Sequence, residues 1–164
     1  MSQAAPNRPA GAWSAAPKAA PAEGVEYGGF WIRFLAFVLD GIIVAVITSA
    51  LAPLLGAGAV VETAPNQVEI NYGANAVGGL VGLLYFIGFW SLRGQTPGMM
   101  PFRLRVVKAA DGTRPDWVVS LLRYVGLIIS IAVVFIGVIW VAFDGRKQGW
   151  HDKIAGTLVV RDVA

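Results

Sequence analysis

The sequence predicts an all-α integral membrane protein: two transmembrane helices, a third long apolar segment, a small cytoplasmic strand pair and a disordered N-terminal tail. Three observations carry this. Of 164 residues, 56% are hydrophobic and only 14% charged, against the ~25% charged residues of an ordinary soluble domain. The apolar residues fall into three runs, at about 30–55, 74–92 and 117–143. The basic residues gather in the connectors between and after those runs, which places the net charge of +3 at a membrane surface bearing anionic lipid, away from any nucleic acid.

Residues 1–26, Met1 to Glu26, are rich in Ala and Pro, with Pro6, Pro9, Pro17 and Pro21 spaced through them. Such a stretch buries too little apolar area to offset its ordering entropy, so it reads as disordered, either a cytoplasmic docking tail or a plain linker. The prolines and the lack of a Leu- or Val-rich h-region argue against a signal peptide. The remaining 27–164 form one membrane domain.

The first run, FWIRFLAFVLDGIIVAVITSALAPLL, extends from Phe30 to Leu55 and exceeds the ~20 residues needed to cross a ~30 Å hydrocarbon core. Tyr27, Phe30 and Trp31 suit the headgroup level, and Pro53 with Gly56 and Gly58 ends the helix. Val60 to Tyr72 is a loop with Glu62 and Glu69 and no Lys or Arg. The second span, Ala74 to Leu92, carries Gly78 and Gly82 four residues apart, a helix-packing face.

Arg93 to Asp116 is a polar connector with Arg93, Arg103, Arg105, Lys108 and Arg114. Within it Phe102 to Lys108 alternates apolar and basic residues as a short strand does, and Asp111-Gly112 supplies a turn. The third run, Trp117 to Phe143, is interrupted by Arg123, and Thr157 to Val160 again reads as a strand. The positive-inside rule puts the connector and the N-terminus in the cytoplasm and the acidic loop outside.

Arg146, Lys147, Lys153 and Arg161 also belong inside, and the two strands pair only if they share a side. Both clues favour a re-entrant hairpin bent near Val134–Gly137 over a plain third span. Its two legs of ~20 Å would each be too short to cross alone.

Polar groups inside the apolar runs are the candidates for function. Asp40 lies in the middle of the first helix, where an ionised carboxylate costs ~2.5–3.5 kcal/mol. Arg33 stands two turns earlier on the same face, ~10 Å away along the axis, so a water bridge or a partner such as Arg93 or Arg123 is easier than a direct bond. Asp40 reads either as an ion or proton site or as a lock between helices, and Arg33 as an anchor to phosphate or part of that site.

Asp144, Arg146, Lys147, His151, Asp152 and Lys153 follow the third run as a charged segment. In it His151 is either a proton relay titrating near neutrality or a solvated surface residue, and Asp152 a backbone cap or a charge with a chemical role. With no cysteine and one histidine, no metal centre or cofactor is expected. Ser120 and Ser130 lack a paired base, and Gly94-Gln-Thr-Pro-Gly98 lacks the lysine of a phosphate loop, so no enzyme activity is expected. The connector lacks interleaved aromatics, which again excludes nucleic acid.

In order, FWIRFLAFVLDGIIV, GQTPGMMPFRLRVVKAADG, LLRYVG and KQGWHDKIAGTLVV resemble the RDD family of bacterial membrane proteins, over nearly all of Tyr27 to Arg161. The resemblance maps the arginine and two aspartates of the family name onto Arg33, Asp40 and Asp152. Met100 stands where the family tends to have a basic residue, and Arg103 where it tends to have glycine. What the resemblance implies is a multi-pass protein of the cell inner membrane with a transport-related function, cation or proton linked.

Together these readings favour such a function, with Asp40 as the ion-binding carboxylate and Arg33 and Asp152 shaping its electrostatics. So few helices imply a homo-oligomer or a membrane partner protein, with the Gly78/Gly82 face as one contact. The alternative is a membrane scaffold or accessory subunit whose tail recruits partners.

Overall fold

The computed structural model describes residues 24–57, 72–133 and 136–163. Expectations for most of the tail, for the acidic loop around Glu62 and Glu69 and for Val134 therefore fall outside the described residues. Among the described residues there are five helices: α1 Phe30–Leu54, α2 Tyr72–Arg93, α3 Trp117–Ala132, α4 Ile136–Ile139 and α5 Trp150–Ala155. Three strands join them: β1 Val25–Tyr27, β2 Leu104–Lys108 and β3 Thr157–Asp162. Short 3-10 turns cover Met100–Phe102 and Trp140–Ala142.

At 1.5 Å per residue α1 and α2 are roughly 38 and 33 Å long, enough for a ~30 Å apolar core, and both pass a membrane-span test of length and apolarity. In α1 Pro53 is accommodated in the last turn, and Gly56, at φ 68°, leaves the helix just beyond. At roughly 24 Å, α3 is too short to cross alone; the Ile136–Ala142 segment meets it at 113°. The break falls where the sequence places a bend, beside Gly137, whose hydrogen faces Ser130 so closely that a Cβ would lie 2.7 Å from the Ser130 Cβ.

Helix α2 packs between α1 and α3, and α3 also packs on α5. An aromatic series ties these layers: Phe37 of α1 stacks on Phe86 of α2 (6.2 Å), and Phe86 meets Trp90 (5.2 Å) and Tyr124 of α3 (6.1 Å). Gly78 and Gly82 are used within the chain. A Cβ on Gly78 would lie 3.4 Å from Thr48 of α1, and one on Gly82 3.3 Å from the Tyr124 hydroxyl of α3. The small residues let α2 approach both neighbours, as such residues do in membrane helices.

The two sequence-predicted strands do pair, antiparallel, with Leu104 opposite Arg161 and Lys108 opposite Thr157. A third strand was not expected: β1 adds to the other edge of β3, with Val25 opposite Asp162 and Tyr27 opposite Val160. Gly24 to Glu26 therefore belong to the ordered domain, a correction to the tail boundary. Pairing across the whole length of the chain held β1 in place, and local composition does not show that. The strand in the connector also begins later than Phe102, because Met100–Phe102 forms a 3-10 turn capped by Arg103 at φ 55°. This left-handed conformation is the one glycine adopts freely, which accounts for a glycine being usual there.

One sheet face, with Leu104, Val106 and Val159, joins the core of α1, α2 and α3; the other, with Val107, Leu158 and Val160, is covered by Val25, Tyr27 and Ala109. The sheet gathers the start of α1, the end of α2 and the C-terminal segment at one end of the molecule. Asp116 caps α3 at that end, accepting from the Val119 amide at 3.0 Å and pairing with Lys108 of β2 at 2.9 Å.

Hydrogen-bonded strands cannot lie on opposite sides of a bilayer. In this cysteine-free chain, single cysteines at the exposed positions Glu26, Arg105 and Arg161 are expected to react with an impermeant maleimide from the same side. Labelling of one of them from the opposite side would contradict the shared sheet.

Candidate functional site

The helices are apolar outside, and several polar and charged side chains are buried within the core. Trp31, Ile42, Val46, Leu84, Val125 and Ile128 of the helices are exposed, whereas Asp40, Thr96, Ser120, Arg123, Ser130, His151 and Asp152 are buried. A hydrocarbon solvent explains the apolar shell, and every buried polar group then has to find its partner within the protein.

Asp152 is the centre of the larger cluster. It sits in the first turn of α5, where its Oδ2 accepts the Gly149 amide at the helix start at 3.0 Å, a capping role anticipated from the sequence. The same oxygen accepts Arg33 Nη1 of α1 at 2.7 Å, and Oδ1 accepts Arg123 Nη1 of α3. Arg33 spends its other nitrogens on backbone: Nε donates to Gly28 O at 2.8 Å and Nη2 to Val159 O at 3.3 Å. Arg123 Nη1 also donates to Thr157 Oγ1 at 2.7 Å, and its guanidinium lies 4.8 Å from the centre of the Trp90 ring, a cation–π distance. Burial would raise the Asp152 pKa, but Arg123 and Arg33 outweigh it and hold the carboxyl well below the usual range.

His151 is buried beside this group, so neither a solvated position nor titration near neutrality describes it. Burial, reinforced by Arg123 and Arg33 against the opposing pull of Asp152, pushes it down to about 4. It fits there because Gly126 of α3 has no side chain; a Cβ would stand 2.9 Å from the His151 Cα. Asp144 and Lys153 form a peripheral pair at 2.5 Å.

Asp40 belongs to a second cluster. Its Oδ1 accepts Tyr85 Oη of α2 at 2.7 Å and the Gly98 amide at 2.8 Å, and its Oδ2 accepts Thr96 Oγ1 at 2.6 Å. Neither Arg93 nor Arg123 reaches it: Arg93 is exposed and Arg123 is engaged by Asp152. Arg33 likewise pairs with Asp152, not Asp40. The Gly94–Gly98 loop, read from the sequence only as a failed phosphate loop, supplies two of the three donors. Gly98 is obligatory on space alone, since a Cβ would stand 2.6 Å from Asp40 Oδ1. Tyr85, Thr96, Gly98, Trp90 and Thr157 were not singled out from the sequence; the Thr-Pro-Gly turn directly after a span that packs against an Asp-bearing helix is the one signal that pointed to them.

A cavity of about 80 Å³ separates the two clusters, lined by Arg33, Asp40, Trp90, Arg123 and His151 among apolar residues. One water needs roughly 10–15 Å³ on this scale, so the space holds several waters or a small ion. Among the described residues no group of His, Asp and Glu is arranged to hold a metal.

A family model for the RDD family matches residues 27–156, which takes in Arg33, Asp40, Arg123, His151 and Asp152 and ends just before β3. The chain belongs to the RDD family. It is 35% identical over 139 residues to the uncharacterized membrane protein YteJ of Bacillus subtilis, covering 83% of this chain and 82% of that protein. Protein YxaI of the same organism is 35% identical over 147 residues, 80% of this chain and 95% of its own. Protein RP437 of Rickettsia prowazekii matches over 77 residues at 35%, 47% of this chain and 42% of its own. No solved structure matches the chain. The apolar shell, the two span-length helices and these relatives make it a membrane protein. Of the three positions behind the RDD resemblance, Arg33 and Asp152 meet directly, and Asp40 faces them across the cavity.

His151 sets an expected pH dependence. Below the ordinary histidine value of 6.5 the unfolded chain takes up a proton that the folded chain refuses until about 4. Stability should therefore fall as pH drops through that window, by up to ~3 kcal/mol. Denaturation midpoints in micelles between pH 7 and 4 check this, and His151→Gln is expected to flatten the profile.

Proposed function

We propose that this RDD protein is a multi-pass, non-enzymatic component of a transport system in the cell membrane, moving a proton-linked ion through the cavity between Asp40 and the Arg33–Asp152–Arg123 cluster. The observation that carries the reading is the cavity itself: a space of about 80 Å³ among mostly apolar side chains, which Arg33, Asp40, Arg123 and His151 also line, inside a domain whose exterior is apolar. Such a space is costly to maintain in hydrocarbon unless something polar occupies it.

The Asp40 geometry favours a proton over a metal cation. Three donors converge on its two oxygens, the reverse of what a cation requires. A proton, by contrast, is accommodated by rotating one hydroxyl: on Oδ2 it donates to Thr96 Oγ1, since a hydroxyl both donates and accepts.

The sheet supports the topology. It joins both ends of the 117–143 segment to the start of α1, which fits a re-entrant hairpin and not a third crossing. Arg93, Arg103, Arg105, Arg114 and Arg161 are exposed at that end, which agrees with a cytoplasmic N-terminus facing anionic lipid. Two crossing helices make a thin wall, so the transporting unit is a homo-oligomer or a complex with a membrane partner. Its contact is the exposed apolar surface of α1, because Gly78 and Gly82 are occupied within the chain.

The three satisfied hydrogen bonds of Asp40 also support a second reading, an accessory or scaffold subunit in which the carboxylate only clamps α1 to α2. Proteoliposomes with an internal pH dye separate the two. Proton movement on addition of Na⁺ or K⁺ is expected for wild type and should fall to the empty-liposome level for Asp40→Asn at equal reconstitution. Equal flux in both would overturn the role of Asp40, and no wild-type flux would leave the clamp reading.

A further inference from the structure

Three buried nitrogens of side chains lining the cavity lack hydrogen-bond partners among the described residues: Trp90 Nε1, Arg123 Nε and His151 Nδ1. Their residues are 2%, 3% and 6% exposed, so bulk water does not satisfy them. An indole N–H and an arginine Nε–H can only donate, and leaving a buried donor unpaired is unfavourable. Asp152, which pairs with both arginines and is not itself part of the lining, is already engaged by two guanidinium groups and the Gly149 amide. Across the cavity both oxygens of Asp40 are filled by Tyr85, Thr96 and Gly98. Thus the arginine end has spare donors, two guanidinium groups against one carboxylate, and no free acceptor from the opposite wall.

We propose that the arginine end of the cavity binds a phosphate-type oxyanion, with Trp90 and Arg123 as its hydrogen-bonding groups and Arg33 supplying further positive charge. A monoprotonated phosphate matches the set, because it offers oxygens to the indole and guanidinium N–H groups. The cavity volume of about 80 Å³ admits one such group. Phe30, Phe34 and Phe37 complete the lining on the α1 side, and Phe34 and Phe37 are partly exposed on the apolar exterior. The same oxyanion chemistry can therefore arrive as free phosphate or as the headgroup of a phospholipid whose chains stay in the bilayer. The inference rests on the cavity being the transport site and names the class of species it holds.

The test uses the full chain purified in a neutral maltoside detergent without phosphate. One arm follows the melting temperature with inorganic phosphate against chloride at equal ionic strength. The other uses native mass spectrometry after addition of phosphatidylglycerol or diacylglycerol. Saturable stabilisation by phosphate identifies a free anion, and retention of phosphatidylglycerol but not diacylglycerol identifies a headgroup.

In either case Trp90→Phe, which keeps the ring over Arg123 and deletes the N–H, should weaken binding about tenfold. Val138→Phe, which fills the space without touching a polar group, should abolish it. No binding in either arm, or unchanged binding in both variants, would overturn the proposal. Loss of binding with Asp40-dependent flux intact would refute the anion alone, and binding without flux would refute the transport reading alone.

Discussion

Asp152 is shared by two arginines, Arg123 buried and Arg33 partly buried, that come from helices on either side of α2, and the architecture of the domain follows from that sharing. Arg33 is in the second turn of α1, Arg123 in the second turn of α3, and Asp152 in a six-residue helix near the C-terminus. Local contacts of α5 are limited to its cap, the Asp144–Lys153 pair and Trp140 against Trp150 and Lys153. It is placed by the ion pairs, by the close approach of His151 to Gly126 and by the strand that follows it. A buried charge without partners costs several kcal/mol, so the three groups are stable only together. The cluster therefore closes the two ends of the sequence onto one sheet.

The second constraint is solvent. Because hydrocarbon surrounds α1 and α2, apolar residues face outward at no cost, and the interior is where polar groups meet. The same logic explains two glycines. Gly98 brings its amide to Asp40, and Gly126 lets α5 lie on α3; a methyl group at either would occupy the space of the neighbour. The cavity is lined by Asp40 on one hand and Arg33, Arg123 and His151 on the other, among mostly apolar residues that include Phe86 and Trp90 of α2.

Much of this was legible in the sequence. The three apolar runs gave α1, α2 and the α3–α4 segment to within a few residues, because length and hydropathy are properties of a segment alone. The pairing of β2 with β3 was legible because both segments read as short strands and the basic residues required a common side. Asp40, Arg33, Asp152 and His151 stood out as polar groups in or beside apolar runs; Asp40, Arg33 and His151 line one cavity, and Asp152 pairs with Arg33. Their partners were not legible. Helical spacing put Arg33 on the same face as Asp40, but its guanidinium turns back towards Gly28 and Asp152. The difference is tertiary: only the folded chain shows that residue 152 lies closer to residue 33 than residue 40 does. For the same reason β1, three residues long and without a pattern of its own, was indistinguishable from the tail.

The central claim is that Asp152 and Arg123 act as one unit in holding α5 on α3. A double-mutant cycle of Arg123→Met and Asp152→Asn, read from denaturation midpoints in micelles, measures it directly. The account predicts that each single change destabilises the protein by about 3–5 kcal/mol and that the double change costs little more than either alone. Additive losses would contradict it, since they would mean that the two side chains stabilise the fold independently.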